Sequence, residues 1–401
     1  MKRLFIAFLC IFLLSGCSNT VQPQQTTEIQ KVDNEYVKAV WIAYYELQDF
    51  IKGNNETEFK KKINNAFSEL NTMGFNTVTV QVRPCADAFY PSKLFPSSEY
   101  CFDVQEVDMP YDPLKIMCDE AKSNNLKLEA WINPYRVSQH NDISKLCDNN
   151  IAKKWYFSKK KKSNVYISDK KIFFNPASKD VQKLIIDGVK EVVNNYDVSA
   201  IHFDDYFYPT KSKTIDAAEY KKYQKEGGKS GLNDWRREKV SELIKGVYKA
   251  VKSVNPEVRF GVSPAADINN NRDKLYADVE KWVSNSGYVD YICPQVYFGF
   301  RNINQPFMFT VKKWMYITNV DLYIGLPLYK SNKADKYASS DNKTIINEFK
   351  DNDNIIERQI NYISKLGNIK GFYIFSYSSL YDKNAKAEVE NMLKAMQGIN
   401  R

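Results

Sequence analysis

Eight β-rich runs, each followed by a stretch of helical periodicity, predict an α/β chain whose parallel strands close into a (β/α)8 TIM barrel. Length agrees: of the 366 residues from Tyr36 to Arg401, setting aside three long loops after strands 2, 3 and 4 leaves about 270, near the roughly 250 typical of that barrel. The doubly wound alternative would carry a Gly-rich phosphate turn after its first strand, and none is present. No repeat and no second domain stand out.

The first strand runs from Val37 to Tyr45, and a helix from about Glu56 to Met73 ends at Gly74, a C-cap residue. Phe75 to Arg83 reads as the second strand and Pro84 to Tyr111 as a long loop. Asp112 as N-cap and Pro113 in the first turn open a helix that reaches Asn124. The third strand is Leu126 to Asn133. Residues 134–177 form the longest excursion, too long for a structureless loop, so small elements of its own and a part in shaping a site are expected. Its run Lys159 to Lys162 reads as a solvated face. A helix from Lys179 to Asn195 leads into the fourth strand, Val198 to Asp204, which a polar loop, 206–232, follows. Next come a helix from Asn233 to Val254, the fifth strand Val258 to Pro264, a short helix from about Arg272 to Ser284, and the sixth strand Tyr288 to Tyr297. An amphipathic stretch near Phe309 to Thr318, the seventh strand Leu322 to Leu328, a helix from Ile355 to Leu366, the eighth strand Gly371 to Ser376 and a final helix Ala385 to Met396 complete the pattern.

Ahead of the barrel, Lys2 and Arg3 precede an uncharged apolar run from Leu4 to Leu14 and then Leu14-Ser-Gly-Cys17. A basic start, an apolar core too short to span a bilayer and small residues before a cut make residues 1–17 a secretory signal. The string Leu14 to Cys17 resembles the bacterial lipobox, whose Cys is lipidated. That resemblance implies a lipoprotein with a lipid-bearing Cys17, anchored in the cell membrane on its extracytoplasmic side. Residues 18–35, polar and aperiodic, read as a flexible tether, and 36–401 as the barrel domain.

Removing residues 1–17 takes away one Lys and one Arg and leaves 55 basic against 48 acidic residues, or +7. That excess suits an anionic membrane or wall surface, and no nucleic-acid motif accompanies it. With 27 Tyr, 23 Phe and 6 Trp the chain is rich in rings, which serve the core and also serve sugar clefts as stacking platforms. Beyond lipid-bearing Cys17, five cysteines remain in the body of the mature chain: Cys85, Cys101, Cys118, Cys147 and Cys293. An odd set is no disulfide framework, although Cys85 and Cys101 share a loop and could pair. With two His in the chain, multi-His metal sites are disfavoured, and no metal or cofactor is expected.

In such a barrel the site lies at the C-terminal ends of the strands. Those ends carry Tyr45, Gln81 and Arg83, Glu129, Trp131 and Asn133, His202 and Asp204, Ser263, Gln295 and Tyr297, and Ser376. Side chains two apart share a face, so pairs such as Trp131/Asn133 and His202/Asp204 can enter the mouth together. Most distinctive is His202-Phe-Asp-Asp-Tyr206, an apolar strand ending in two adjacent carboxylates. Neighbouring acids push their pKa values apart, which suits acid/base chemistry.

The strings Gln81-Val-Arg-Pro, Asp87-Ala-Phe-Tyr-Pro-Ser, Ala130-Trp-Ile-Asn-Pro-Tyr-Arg136, Phe174-Asn-Pro-Ala177, Ile201-His-Phe-Asp-Asp-Tyr206, Phe260-Gly-Val-Ser-Pro264, Val289-Asp-Tyr-Ile-Cys-Pro-Gln-Val-Tyr297 and Gly325-Leu-Pro-Leu-Tyr329 together resemble the glycosyl hydrolase-like 10 family of bacterial surface proteins. The resemblance implies a (β/α)8 glycosidase fold and cell-wall glycan as the polysaccharide substrate. Two positions depart from the family's pattern: Glu129, where His is common, and Ala265-Ala-Asp-Ile, where a Trp-Arg-containing stretch is common.

Glycoside cleavage needs an acid for the leaving oxygen plus a nucleophile or a base for water. Asp204 or Asp205 supplies the acid, and the seventh strand ends in Gly325-Leu-Pro-Leu-Tyr-Lys without a nucleophilic Glu. Two routes remain open. In one, the acetamido oxygen of an N-acetylhexosamine attacks, one Asp orients the amide, the other is the acid and Tyr297 binds the carbonyl. In the other, a more distant carboxylate, Glu129 or Asp267, activates water with inversion. Substrate contacts are expected from Tyr45, Arg83, Trp131, Asn133, Arg136, Tyr206, Ser263 and Gln295. A rival reading is a lipid-anchored glycan-binding protein without turnover.

Overall fold

A computed structural model describes residues 35–399 other than 106, 107 and 339; the expected lipidation residue Cys17 and the tether as far as Asn34 lie outside the described residues. Eight parallel strands close a barrel: β1 (Val37–Ile42), β2 (Thr77–Arg83), β3 (Lys127–Ile132), β4 (Ala200–Phe203), β5 (Arg259–Val262), β6 (Tyr291–Ile292), β7 (Asp321–Leu326) and β8 (Ile369–Ile374). Each strand pairs with its chain neighbours, and β8 closes on β1 with Val37 opposite Gly371. The chain is therefore a (β/α)8 barrel, with long insertions after β2, β3 and β4.

Strand alternation sorts the core into two sets. Val40, Ile42, Val78, Val80, Ile201, Phe203 and Phe260 face the surrounding helices, while Ala39, Trp41, Trp131, Ala200, Tyr291, Cys293, Tyr323 and Tyr373 fill the barrel. The filling is aromatic, and Gly261 makes it possible: a Cβ there would sit 2.1 Å from the Tyr291 ring.

The helices Glu56–Thr72, Pro113–Ser123, Lys179–Asn195, Leu232–Val254, Phe307–Ile317, Ile355–Ile363 and Lys386–Gln397 lie close to their predicted positions. Asp112 caps as expected, accepting from Lys115 N at 3.1 Å. The strands are shorter than predicted. β6 holds two residues because Pro294 has no N–H for the ladder, and the chain continues beside its neighbours only through single bridges, Ala265 to Gln295 and Gln295 to Gly325. Tyr44–Ile51 is a helix, so Tyr45 opens the turn after β1 instead of ending the strand. The stretch predicted as one helix over 272–284 is broken at Tyr276, whose φ of 53° is left-handed, and only Val279–Ser284 is α-helical.

The insertions have structure. Residues 134–177 hold a three-stranded antiparallel sheet, Arg136–Ser138, Val165–Ile167 and Ile172–Phe174, with a helix at Ile151–Phe157. The loop after β4 carries a helix at Ala217–Lys225 and is pinned by a fully buried fork, in which Arg236 Nε and Nη2 donate to Asp216 Oδ2 and Oδ1, each at 2.7 Å. Cys85 and Cys101 are free thiols, as are Cys118 and Cys293. Burial pushes the Cys85 thiol up to about 12.

Candidate active site

A cleft of about 550 Å3 opens at the C-terminal end of the barrel. Every strand or its following turn supplies part of the wall: Trp41, Gln81, Trp131, Asp204 with Asp205, Ser263, Gln295 with Tyr297, Tyr329 and Phe375. A larger hollow of about 670 Å3 lies in the loop after β2, between Tyr90 and Asp108. It shares no lining residue with the cleft and has Asp108 as its one acid among the described residues, so the chemistry belongs to the barrel mouth.

Within the mouth, one relay orients Asp204. Tyr44 N donates to Gln81 Oε1 at 3.1 Å, Gln81 Nε2 donates to Asn133 Oδ1, and Asn133 Nδ2 is thereby turned to donate to Asp204 Oδ2. Trp131 Nε1 reaches the same oxygen at 3.2 Å, and Tyr206 N donates to Oδ1 at 3.2 Å. Burial pushes the Asp204 carboxyl up, while the Arg136 charge and these three N–H donors hold it back. Asp205 accepts from one side chain among the described residues, Gln295 Nε2 at 3.4 Å, whose amide is also fixed on the Ser263 carbonyl at 3.0 Å. Burial and then the charge of Asp204 push Asp205 up to about 7. The hydrogen bonds favour the charged form of Asp204 over that of Asp205, so of the pair Asp205 is the one that takes a proton first.

Under this floor the barrel holds a second polar chain. Trp41 Nε1 donates to His202 Nε2 at 3.3 Å, and because indole only donates, His202 carries its proton on Nδ1 and gives it to Tyr291 Oη at 3.0 Å. Tyr291, Tyr373 and Thr79 then donate their hydroxyls to Glu129 at 3.3, 2.8 and 2.8 Å. Burial holds His202 down to about 3 and so keeps it neutral. It is a satisfied core histidine that fixes the Trp41 indole in the cleft wall.

The structure brings most of the predicted residues together. Asp204, Asp205, Tyr297, Tyr45, Trp131, Arg136, Tyr206, Ser263 and Gln295 line the cleft, and Asn133 acts on it from behind. Tyr45 and Tyr206 are 44% and 50% exposed, enough for a ring face to meet a ligand. The Ser263 hydroxyl is buried without a hydrogen-bond partner among the described residues.

Three expected residues lie elsewhere. Arg83 points away from the mouth because β2 shifts register between Gln81 and Arg83. Arg83 therefore pairs with Ile132, an outward position, and its guanidinium lies 4.5 Å from the Phe95 ring, against Gly188. Glu129 is enclosed in the barrel by its three hydroxyl donors and does not line the cleft. Asp267 caps a helical turn, accepting from Asn269 N at 2.9 Å and Asn270 N at 3.3 Å, and is absent from the cleft wall. Asp204 and Asp205 are thus the cleft's carboxylates among the described residues.

Sequence reasoning did not single out Lys171, Gln139, Tyr329 or Tyr337 as wall residues. Lys171 and Gln139 come from the 134–177 insertion, and its Asn-Pro and Arg136 motifs were the only signal there. Tyr329 follows β7 directly and follows the rule that strand ends carry the site.

The model of the glycosyl hydrolase-like 10 family matches residues 36–341. The chain belongs to that family. Within it, the chain is 35% identical over 372 residues to glycosyl hydrolase YngK of Bacillus subtilis, a match covering 86% of this chain and 68% of that one. It is 34% identical over 294 residues to glycosyl hydrolase DigH of Escherichia coli K12, covering 67% of this chain and 65% of DigH. Among solved structures, the PgaB (BpsB) glycoside hydrolase domain of Bordetella bronchiseptica superposes with a TM-score of 0.57 at 10% identity, covering 89% of this chain and 98% of that domain. The catalytic domain of a beta-amylase from Paenibacillus polymyxa gives 0.57 at 11% identity, covering 92% and 99%. At such identities the likeness is one of fold. The family's two departures noted in the sequence fall outside the cleft wall: Glu129 is internal, and Ala265 to Asp267 do not line it.

Proposed function

We propose that this member of the glycosyl hydrolase-like 10 family is a glycoside hydrolase of cell-wall glycan, cutting beside an N-acetylhexosamine whose acetamido oxygen is the nucleophile. One observation carries the reading: the cleft offers two carboxylates, adjacent in the chain and unequal in their hydrogen-bond donors, with none opposite them among the described residues. A retaining pair needs carboxyls about 5 Å apart across the bond, and an inverting pair roughly 6.5 to 9.5 Å with room for water. Neither enclosed Glu129 nor capping Asp267 supports either geometry. A nucleophile brought by the substrate needs only an orienting anion and an acid.

The roles follow from the hydrogen bonds. Asp204, held by Asn133, Trp131 and Tyr206, orients the acetamido N–H and steadies the cation that forms on ring closure. Asp205 protonates the leaving oxygen and then, as the base, takes a proton from the water that opens the cyclic intermediate. Burial keeps the Tyr297 phenol protonated, so its hydroxyl can donate to the acetamido carbonyl. Lys330 steadies Tyr297 through the backbone, donating to its carbonyl at 2.7 Å while paired with buried Asp335 at 2.9 Å. The rings of Tyr45 and Tyr206 take sugar faces. The sequence signal at Cys17 supports lipid anchoring at the outer side of the membrane. Labelling with a fatty-acid probe, lost in Cys17→Ala, tests that part.

The decisive measurement is the anomer first released from wall glycan strands, followed by NMR. Retention is expected. An inverted product overturns the acetamido route, and release of no saccharide from sacculi or bare strands overturns hydrolysis in favour of a binding protein.

A further inference from the structure

The insertion between β3 and β4 brings two cations to one end of the cleft. Arg136 starts the first strand of the small sheet and Lys171 precedes its last, with Arg136 in register with Phe173 and Ser138 with Ile172. Arg136 is 4% exposed. Its Nε donates to the Pro84 carbonyl at 2.7 Å and its guanidinium lies 5.1 Å from the Tyr206 ring centroid, but Nη2 is buried without a hydrogen-bond partner among the described residues. Lys171 is half-buried in the same wall, and its ammonium forms no ion pair or hydrogen bond with the described residues. Burial and the Arg136 charge hold that ammonium below its ordinary value.

Two like charges side by side with unused donors are costly unless an anion arrives. Asp204 acts on Arg136 through its charge alone: it forms no ion pair with Arg136, and Arg136 Nη2 and Lys171 Nζ keep their unused donors. We infer that this end of the cleft is a carboxylate subsite, where Arg136 Nη2 and Lys171 Nζ receive the acid group of an acidic sugar. The inference rests on the glycan reading above and names the substituent that reading leaves open. Such a group can stand on a lactyl ether at O3 of an N-acetylhexosamine or at C6 of a uronic acid. Either presents a two-oxygen fork that suits a guanidinium beside a point charge.

The test is calorimetric binding to the full chain in detergent, carrying Asp205→Asn to stop turnover. The probes are an N-acetylglucosamine tetramer, a tetramer with O3-lactyl groups on alternate sugars, a tetramer alternating glucuronic acid with N-acetylglucosamine, and the methyl esters of both acids. At least one acid should bind about tenfold more tightly than its ester, with the advantage shrinking in high salt. Which acid shows it identifies the source. Lys171→Gln, at a surface turn, should remove most of the advantage while the neutral tetramer binds as before. Acids and esters bound equally, beside a bound neutral tetramer, overturn the subsite and leave the glycan reading standing. An advantage that survives both Lys171→Gln and Arg136→Gln also overturns it. Failure of every oligosaccharide to bind overturns both.

Discussion

The indole N–H of Trp41 donates to Nε2 of His202 across 3.3 Å, and this one bond decides where the imidazole proton sits. A residue on β1 thereby aligns a chain of hydrogen bonds that runs down to Glu129 on β3. Replacing His202 by Leu leaves the Trp41 indole N–H without its acceptor and the Tyr291 hydroxyl oxygen without its donor, at about 1–3 kcal/mol each. A drop of roughly 2–5 kcal/mol in unfolding free energy is expected by urea titration. Turnover should fall less than for the aspartates, with the change mainly in KM, because Trp41 is a wall and His202 only positions it.

The same histidine has a pH signature. Burial lowers its pKa from 6.5 to about 3 in the folded protein. Between those values the unfolded chain binds a proton that the native state refuses, so stability rises with pH through the window and falls as pH drops below about 6.5. The buried aspartates act in the opposite sense over part of that range. The clean measurement is therefore the stability difference between wild type and His202→Gln, which should shrink as pH falls from about 6.5 toward 4.

Asp204 and Asp205 should separate by leaving group. Asp205→Asn removes the acid and is expected to slow hydrolysis of a natural glycan by about 10^2 to 10^4. It should spare the first-turnover release of phenol from an aryl glycoside of N-acetylglucosamine, whose phenolate leaves without protonation, while the water-dependent second step slows. Asp204→Asn should slow both substrates alike, since both need the oriented acetamide. Equal first-turnover losses on both substrates for Asp205→Asn would remove it as the acid.

Activity requires Asp205 protonated at the start of the cycle, so kcat/KM should decline as pH rises through about 7, the value to which burial and Asp204 raise it. In Asp204→Asn the like charge is gone and the alkaline limb should move to lower pH. Carbon NMR of the labelled Asp205 carboxyl reads the same shift without needing turnover.

Glu129→Gln distinguishes a structural carboxylate from a distant base. Gln keeps the shape but puts an amide N–H against one of three hydroxyl donors, which should destabilise the fold by about 1–3 kcal/mol. Turnover at a temperature where the variant is folded should stay within about tenfold of wild type. A loss near that of Asp205→Asn would return Glu129 to the chemistry.

Much of this was legible in the residues. Parity along the strands put Trp131 with Asn133 and His202 with Asp204 on the inner side of the barrel, but of each pair only Trp131 and Asp204 line the cleft, while His202 lies beneath it and Asn133 behind it. The same rule misplaced Arg83, because one extra residue in β2 reverses inside and outside after Gln81. Nothing in Gln81-Val-Arg announces that shift. Glu129 has the right parity but the wrong depth: it sits opposite Thr79 and Ala200, one layer below Trp131 and His202. The unpaired state of Lys171 was invisible, since it depends on how a small sheet folds back over the mouth.

That small sheet is anchored to the loop after β2, where Ala86 N donates to the Val137 carbonyl at 3.1 Å and Arg136 Nε to that of Pro84 at 2.7 Å, but its three strands pair with one another and none joins the barrel ladder. Cleavage and preference consequently have separate mechanical supports. The aspartates are tied to strands whose register every neighbour enforces, whereas the cations ride on an appendage free to vary in length or sequence without retuning the cylinder. Relatives with divergent appetites should differ chiefly across 134–177, and exchanging that segment between them should carry the preference along while the stereochemistry of cleavage stays put.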